Sequence, residues 1–206
     1  MFWNDCGSCL AIVVRPTPKT IRIRLVSFTA TTHWLLGYAR SALAEIETEV
    51  DATETSVRVF NRGPQKKVPK VLMKLFDIHE GDLFVDDWTT YFSPVHSVYE
   101  QYWVGANDQR RRDVLLTAAF FVPRRANVTD VVTFIFVNAV KRPLPDAMVK
   151  PILKHIADRE VRRDQKMIEQ LAPGVDASLD GLKLGRFDGV LRLNRKRIEK
   201  IYRGIA

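Results

Sequence analysis

One acidic residue lies among the apolar positions of an amphipathic helix predicted for residues 153–171. At about 100° per residue the apolar side chains share one face, and Asp164 falls near the middle of it, with Glu160 one turn before. The apolar positions are Leu153, Ile156, Ala157, Val161, Met167, Ile168 and Leu171. An unpaired charge in a protein core costs several kcal/mol. We therefore expect Asp164 to be neutralised, to pair with a cation or to bind a metal ion.

Two interpretations of Asp164 follow. In the first it pairs with one of the many Arg side chains, because buried acids usually have protein partners. In the second it is a metal ligand. Periodicity alone favours the ion pair. The metal-ligand interpretation needs support from other residues of the chain.

The other residue types that could do chemistry are scattered. The chain has no glycine-rich phosphate loop and no Gly-x-Ser-x-Gly elbow. Its four histidines are isolated in the sequence. We expect His79, His96 and His155 to be exposed or locally hydrogen-bonded, whereas the role of His33, beside Trp34, is open.

Cys6 and Cys9 form a single Cys-Gly-Ser-Cys. Without a second pair they cannot make a four-ligand zinc site, and we interpret them as ordinary thiols of a reducing compartment.

Composition indicates one globular domain. The 206 residues are 46% hydrophobic and 27% charged, with a net charge of +8. The 32 Lys and Arg are spread along the chain, so nucleic-acid binding is a weaker alternative that a salt-dependent mobility assay would test. Apolar runs are too short to span a bilayer and no signal peptide is recognised, which predicts a cytoplasmic protein without membrane contact.

The elements that must position Asp164 are a sheet followed by helices. Short strands are predicted at 9–14, 21–26, 45–50 and 57–61, a short apolar run at 71–76, and longer strands at 83–92, 98–104, 113–122 and 128–139. Short turns between successive strands favour an antiparallel sheet. Helices follow from Pro145, with a kink or restart at Pro151, and from 186 to 203. An α+β fold with a pocket between sheet and helix is therefore predicted.

Several segments together resemble the catalytic domain of Rieske non-haem iron oxygenases, most closely the vanillate-demethylase-like oxygenase subunits. Asp164 within Arg-Glu-Val-Arg-Arg-Asp-Gln-Lys-Met-Ile-Glu is similar to the family's C-terminal metal-ligand segment. The ordered set also includes residues 46–50 with 57–59, 70–74, 85–88, 92–94, 121–123, 133–136 and 187–198. The similarity covers about residues 45–204.

The resemblance implies a helix-grip (START-like) domain that holds one Fe(II) on two His and one carboxylate, leaving positions open for dioxygen beside an aromatic substrate. Asp164 would be the carboxylate and His33 one His ligand. Trp88, Ala119 and Phe121 would line the substrate pocket, although core packing explains Trp88 and Phe121 equally simply. An external electron donor and a homotrimer are implied partners.

The chain departs from the family in its first residues. Cys6 and Cys9 lack the histidines of a Rieske [2Fe–2S] site, so that cluster is not possible here. Around His33, the positions of a second His are taken by Phe28, Gly37 and Tyr38. We expect residues 1–42 to be an atypical N-terminal segment, through truncation or a reading-frame change, and residues 43–206 to be the oxygenase-like domain.

Two functions are therefore predicted. The first is an oxidoreductase: the catalytic portion of a Rieske-type ring-hydroxylating or O-demethylating oxygenase. The alternative is a non-catalytic helix-grip module that binds an apolar small molecule. Metal content separates the two.

Overall fold

The structure is a computed structural model, and it describes residues 10–14, 37–125, 128–138, 145–169 and 189–203. Within these ranges, seven strands form one sheet. They are β1 (Leu10–Val14), β2 (Glu47–Ala52), β3 (Ser56–Pro64), β4 (Leu83–Phe92), β5 (Val95–Val104), β6 (Arg110–Arg125) and β7 (Val128–Asn138). A short 3-10 helix (Arg40–Glu45) and three α-helices complete the description: α1 (Lys70–Leu75), α2 (Asp146–Glu169) and α3 (Gly189–Arg203).

Every neighbouring pair of strands is antiparallel, in the order β1-β7-β6-β5-β4-β3-β2. Strands β2 to β7 therefore follow the chain as a meander, which is what short turns between successive strands predicted. The α+β fold with an antiparallel sheet and a C-terminal helix is confirmed. The strands predicted at 9–14, 45–50, 57–61 and from 83 to 139 are confirmed within a few residues.

Strand β1 comes from the first 42 residues of the chain. Leu10–Val14 pairs with Thr133–Val137 of β7, so this piece of the first 42 residues belongs to the same sheet as the rest. The segment from 15 to 36, with the predicted strand at 21–26, lies outside the described residues. The boundary near residue 42 stays a prediction.

The apolar run at 71–76 is the helix α1, which starts after Pro69 and buries Leu72 and Leu75. Its return to β4 passes through Gly81, whose φ of +87° is one that side chains rarely adopt. The buried carboxylate of Asp82 accepts two hydrogen bonds from the Arg111 guanidinium, at 2.8 and 3.2 Å, and one from the His79 N–H at 2.8 Å. These bonds tie the turn after α1 to β6.

Alternation along the strands places one face of the sheet against the helices, and we call it the helix-covered face. Helix α2 packs on the β1 side of this face and α3 on β3 and β4. The two predicted C-terminal helices thus divide this face of the sheet between them. Helix α2 continues through Pro151, which lies in its first two turns and removes one N–H donor from the ladder. Residues 170–188 between them lie outside the described part of the chain.

Two apolar clusters fill the space under these helices. The larger joins α1, α2 and one end of the sheet, and it contains Tyr38, Ile46, Leu72, Leu75, Phe76, Ile78, Phe84, Trp103, Leu115, Val137, Leu153 and Ala157. The smaller lies under α3 and contains Val57, Val59, Phe92 and Val190, with Trp88, Leu193, Ile198 and Ile201 packed against it. No described helix is both long and apolar enough to cross a membrane.

Candidate functional site

A row of polar side chains crosses the helix-covered face between the two apolar clusters. We call Thr48, Asn61, Asp86 and Gln101 the polar row; they are direct cross-strand neighbours on β2, β3, β4 and β5. Asn61, Asp86 and Gln101 are each at least nine-tenths buried. Residues at these inward positions are normally apolar, because each strand places every second side chain in the core. The polar row therefore interrupts a core that could have been continuous.

Hydrogen bonds connect the polar row in two pairs. The Thr48 hydroxyl donates to Asn61 Oδ1 at 2.8 Å, and Gln101 Nε2 donates to Asp86 Oδ1 at 2.9 Å. The hydroxyl of Tyr38, from the segment before the 3-10 helix, donates to the Asn61 carbonyl oxygen at 3.1 Å. Burial raises the pKa of Tyr38, and the nearby charge of Asp86 raises it further.

One acceptor of the polar row is unused. Gln101 Oε1 is buried, and it has no hydrogen-bond partner in the part of the chain that the structure describes. A buried acceptor without a donor costs about 1–3 kcal/mol, so native proteins seldom leave one. Rotating the amide by 180° would not help, because Nε2 would then lose its hydrogen bond to the Asp86 carboxylate.

Apolar and aromatic side chains stand on both sides of Gln101. Leu115 is adjacent to it across the β5–β6 ladder, and Trp103 is two residues along β5; both belong to the larger cluster. In the opposite direction, the ring of Tyr99 stacks on Trp88, with centroids 6.0 Å apart. Apolar and aromatic side chains thus border the polar row at Gln101 in both directions along β5.

The structure places the three predicted pocket residues on the helix-covered face. Trp88 packs on the smaller cluster and is the nearest of the three to the polar row, being two residues from Asp86 on β4. Ala119 is buried one row further on, opposite Ser97 of β5. Phe121, two residues along β6 from Ala119, is half-buried. Their part in a pocket stays a prediction, because residues 170–188 are not described.

Of the two predicted metal ligands, only the backbone of Asp164 is described. It lies in α2, three residues beyond Val161, on the helix whose Leu153 and Ala157 are buried in the larger cluster. The Asp164 side chain and the whole of His33 lie outside the described residues.

The other histidines agree with the local roles predicted for them. His79 Nε2 is 3.0 Å from Asp77 Oδ1, His96 Nδ1 is 2.8 Å from the Pro94 carbonyl oxygen, and His155 is exposed on α2. Among the residues described, no three His, Cys, Asp or Glu side chains are grouped as a metal site would need. The described side chains by themselves therefore do not form a facial iron site.

The polar row is not among the features predicted from the sequence. Asp86 lies in Val-Asp-Asp-Trp, where two successive acids hide which one faces inward, and Gln101 lies in a strand of mixed polarity. The available signal was register: strands of known pairing would have shown that Asn61, Asp86 and Gln101 are neighbours.

Comparison with known proteins gives a distant similarity of fold. No family model matches the chain, and no curated protein matches it at a significant level. A solved structure that it resembles is the crystal structure of dicamba monooxygenase bound to 3,6-dichlorosalicylic acid, with 11% sequence identity and a TM-score of 0.48. The match covers 76% of this chain and 47% of that one, so the chain spans less than half the length of that structure. This similarity is too distant to assign an activity.

Proposed function

We propose that the chain is the catalytic-domain portion of a Rieske-type oxygenase, an oxidoreductase that uses mononuclear Fe(II) and dioxygen to hydroxylate or O-demethylate an aromatic small molecule. The [2Fe–2S] cluster and the reducing electrons come from outside this chain. The support comes from the ordered set of segments that resemble this family and from the antiparallel sheet covered by C-terminal helices.

The observation that carries the proposal is the packing of α2. Its positions 153, 157 and 161 lie against the larger core cluster, at helical spacings of four residues. Position 164 continues that stripe by three residues, at the place where the resemblance expects the iron carboxylate. An acid at such a position needs a cation, and the family resemblance implies that this cation is Fe(II).

Fe(II) binding tests the proposal directly. We expect the purified chain, kept anaerobic, to bind Fe(II) in equilibrium dialysis, and Asp164→Asn to weaken that binding about tenfold or more, because a metal ligand must carry its charge. Oxygen uptake with an added reductase, a Rieske protein and vanillate would then report turnover.

Asp158→Asn is the matched control, since Asp158 is a half-buried acid on the same helix, six residues before Asp164. It should bind Fe(II) as the wild type does. Equal Fe(II) affinity in wild type and Asp164→Asn would contradict the proposal, because Asp164 would then have no role as a ligand.

The proposed partners are an aromatic substrate, an external electron donor and further copies of the chain in a trimer, in the cytoplasm. Nucleic acid and membranes are not among them.

A second candidate is a non-catalytic module that binds an apolar small molecule. The polar row between two apolar clusters favours it, because such a lining recognises a ligand without any metal. A chain that takes up small aromatic molecules, with no Fe(II) binding that depends on Asp164, would establish this alternative.

A further inference from the structure

We propose that one face of α3 is the docking surface for a small acidic electron-transfer protein. This face is formed by Arg192, Arg195, Lys196 and Lys200, and we call it the basic face. Naming an electron donor as the partner rests on the proposed function, in which the electrons come from outside this chain. The docking itself is tested without iron.

Helix α3 carries most of the net charge of the chain. Its 15 residues include six Lys and Arg and one acid, Glu199, which gives the helix a net charge of +5. The whole chain has a net charge of +8. At about 100° per residue, the basic face lies opposite the side of α3 that packs on the smaller cluster. Three of its four cations are exposed: Arg192, Lys196 and Lys200.

The cations of the basic face have no carboxylate partner among the described residues. The arginines of the sheet differ from them, because five of these are each paired with an acid. The pairs are Arg58 with Asp87, Arg62 with Asp108, Arg110 with Glu100, Arg111 with Asp82 and Arg124 with Asp130. Within the described part of the chain, the basic face is therefore available to an anionic partner.

Folding does not account for the basic face. Arg192, Lys196 and Lys200 follow one another at intervals of four residues, so that like charges are neighbours on the helix surface and destabilise the helix. Contacts on the other side of α3 hold it in place. Val190 is buried in the smaller cluster, and the Tyr202 hydroxyl donates to the Phe92 carbonyl oxygen at 2.5 Å. The repelling charges are thus presented on an anchored helix.

The neighbouring edge of the sheet limits the kind of anionic partner. Helix α3 packs on β3, and β2 pairs with β3 at this edge. Residues 45–54 contain no basic residue and five exposed acids: Glu45, Glu47, Glu49, Asp51 and Glu54. A nucleic acid that extended past α3 on this side would be repelled by these carboxylates. From residue 192 to residue 200 the basic face is about 12 Å long, which suits a compact acidic protein.

The position of α3 suits an electron donor in particular. Electron-transfer complexes bury small interfaces and are steered by charge. Helix α3 packs directly on β3 and β4, and its Leu193 contacts the same cluster as Trp88, which is predicted to line the pocket. A protein on the outer side of α3 is separated from the helix-covered face by about 10 Å, the diameter of one helix with its side chains.

A plant-type [2Fe–2S] ferredoxin is a suitable probe, because it is a small and strongly acidic electron carrier. Its binding to the iron-free chain is measured by isothermal titration calorimetry. We expect the affinity to fall about tenfold or more between about 20 and about 200 mM salt, because salt screens the attraction between exposed charges. Cytochrome c, a basic electron carrier of similar size, should not bind.

The test variant neutralises the three exposed cations of the basic face together: Arg192→Gln, Lys196→Gln and Lys200→Gln. Gln is nearly as good a helix former as Lys and Arg, and the repulsion between neighbouring cations disappears, so we expect α3 to remain folded. Circular dichroism and urea unfolding check this. At low salt the variant should bind the ferredoxin about tenfold more weakly, or less tightly still.

The matched control removes the same amount of charge from a different helix. It combines substitutions of three exposed lysines on and just before α1: Lys67→Gln, Lys70→Gln and Lys74→Gln. The buried side of α1 belongs to the larger cluster, away from the smaller cluster under α3. We expect this variant to lose less than about threefold in affinity, through its lower net charge alone.

Four results would overturn the inference: no ferredoxin binding, an affinity that does not change with salt, equal losses in the two triple variants, or tighter binding of a single-stranded oligonucleotide than of the ferredoxin at the same salt concentration. The last result would assign the basic face to nucleic acid. The wild-type comparisons decide the question even where the test variant does not fold.

Failure here is distinguishable from failure of the proposed function. Fe(II) binding that depends on Asp164, together with no ferredoxin binding, would remove this inference alone. Ferredoxin docking on α3 without Fe(II) binding would remove the proposed function and keep the docking surface.

Discussion

Tyr38 combines a structural hydrogen bond with an ionisable group that burial keeps neutral. Its hydroxyl donates to the Asn61 carbonyl oxygen, and its ring packs on Phe84 with centroids 5.4 Å apart. Burial first and the charge of Asp86 second raise the pKa of Tyr38 above its ordinary value. The folded protein therefore keeps this proton at a pH where the unfolded chain releases it.

The sign of the resulting pH dependence follows from linkage. Below about pH 10 both states hold the proton and the contribution is complete; above it only the unfolded state loses it, so stability falls as pH rises. We expect the free energy of unfolding of Tyr38→Phe to be about 1 kcal/mol lower than that of the wild type at pH 8, because the hydrogen bond is missing. Between pH 9 and 11 the free energy of unfolding should fall less in Tyr38→Phe than in the wild type. Urea unfolding at each pH measures both effects.

Tyr91→Phe serves as the control at the residue scale, because Tyr91 is 40% exposed. It should follow the wild-type curve from pH 8 to 11. The same steep loss of stability in Tyr38→Phe as in the wild type would show that Tyr38 does not carry the alkaline transition.

At the scale of elements, α2 is held to the sheet by one stripe of side chains. Leu153 is 5% exposed and packs in the larger cluster, while its neighbour Ile152 is 37% exposed. We expect Leu153→Ala to lower the free energy of unfolding by about 2–4 kcal/mol, through lost apolar burial and the cavity that remains. Ile152→Ala should cost less than about 1 kcal/mol. Denaturant unfolding of the two variants checks this, and equal losses would mean that α2 is held differently.

Element types were largely readable from the chain. Alternation gave the strands, and the apolar stripe gave α2 and α3, because both patterns depend only on local geometry. The run at 71–76 was not assigned from the sequence, because six apolar-rich residues suit a strand or a helix equally. Pro69 at its start and burial of Leu72 and Leu75 make it a helix.

At the scale of the whole molecule, β1 closes one side of the sheet. It pairs with β7 through all five of its residues, and it covers backbone groups that would otherwise form an open edge. We expect removal of residues 1–14 to lower stability and to cause self-association, seen as a concentration-dependent sedimentation coefficient. Removal of residues 1–9 alone, which keeps β1, is the control. A shortened chain from residue 15 that stays monomeric and fully stable would support a domain boundary near residue 42 instead.

What the sequence by itself determined is the kind of most of the strands and of the two long helices, together with the charge conflict at Asp164, since these follow from periodicity and from the cost of burying an acid. Only the tertiary structure decided that Leu10–Val14 joins β7, that two helices divide the face of the sheet, and that Asn61, Asp86 and Gln101 form one row. The physical reason is that strand order and register depend on contacts between residues far apart in the chain. A pattern within one strand shows which side chains share a face, and it does not show which strand will lie beside it.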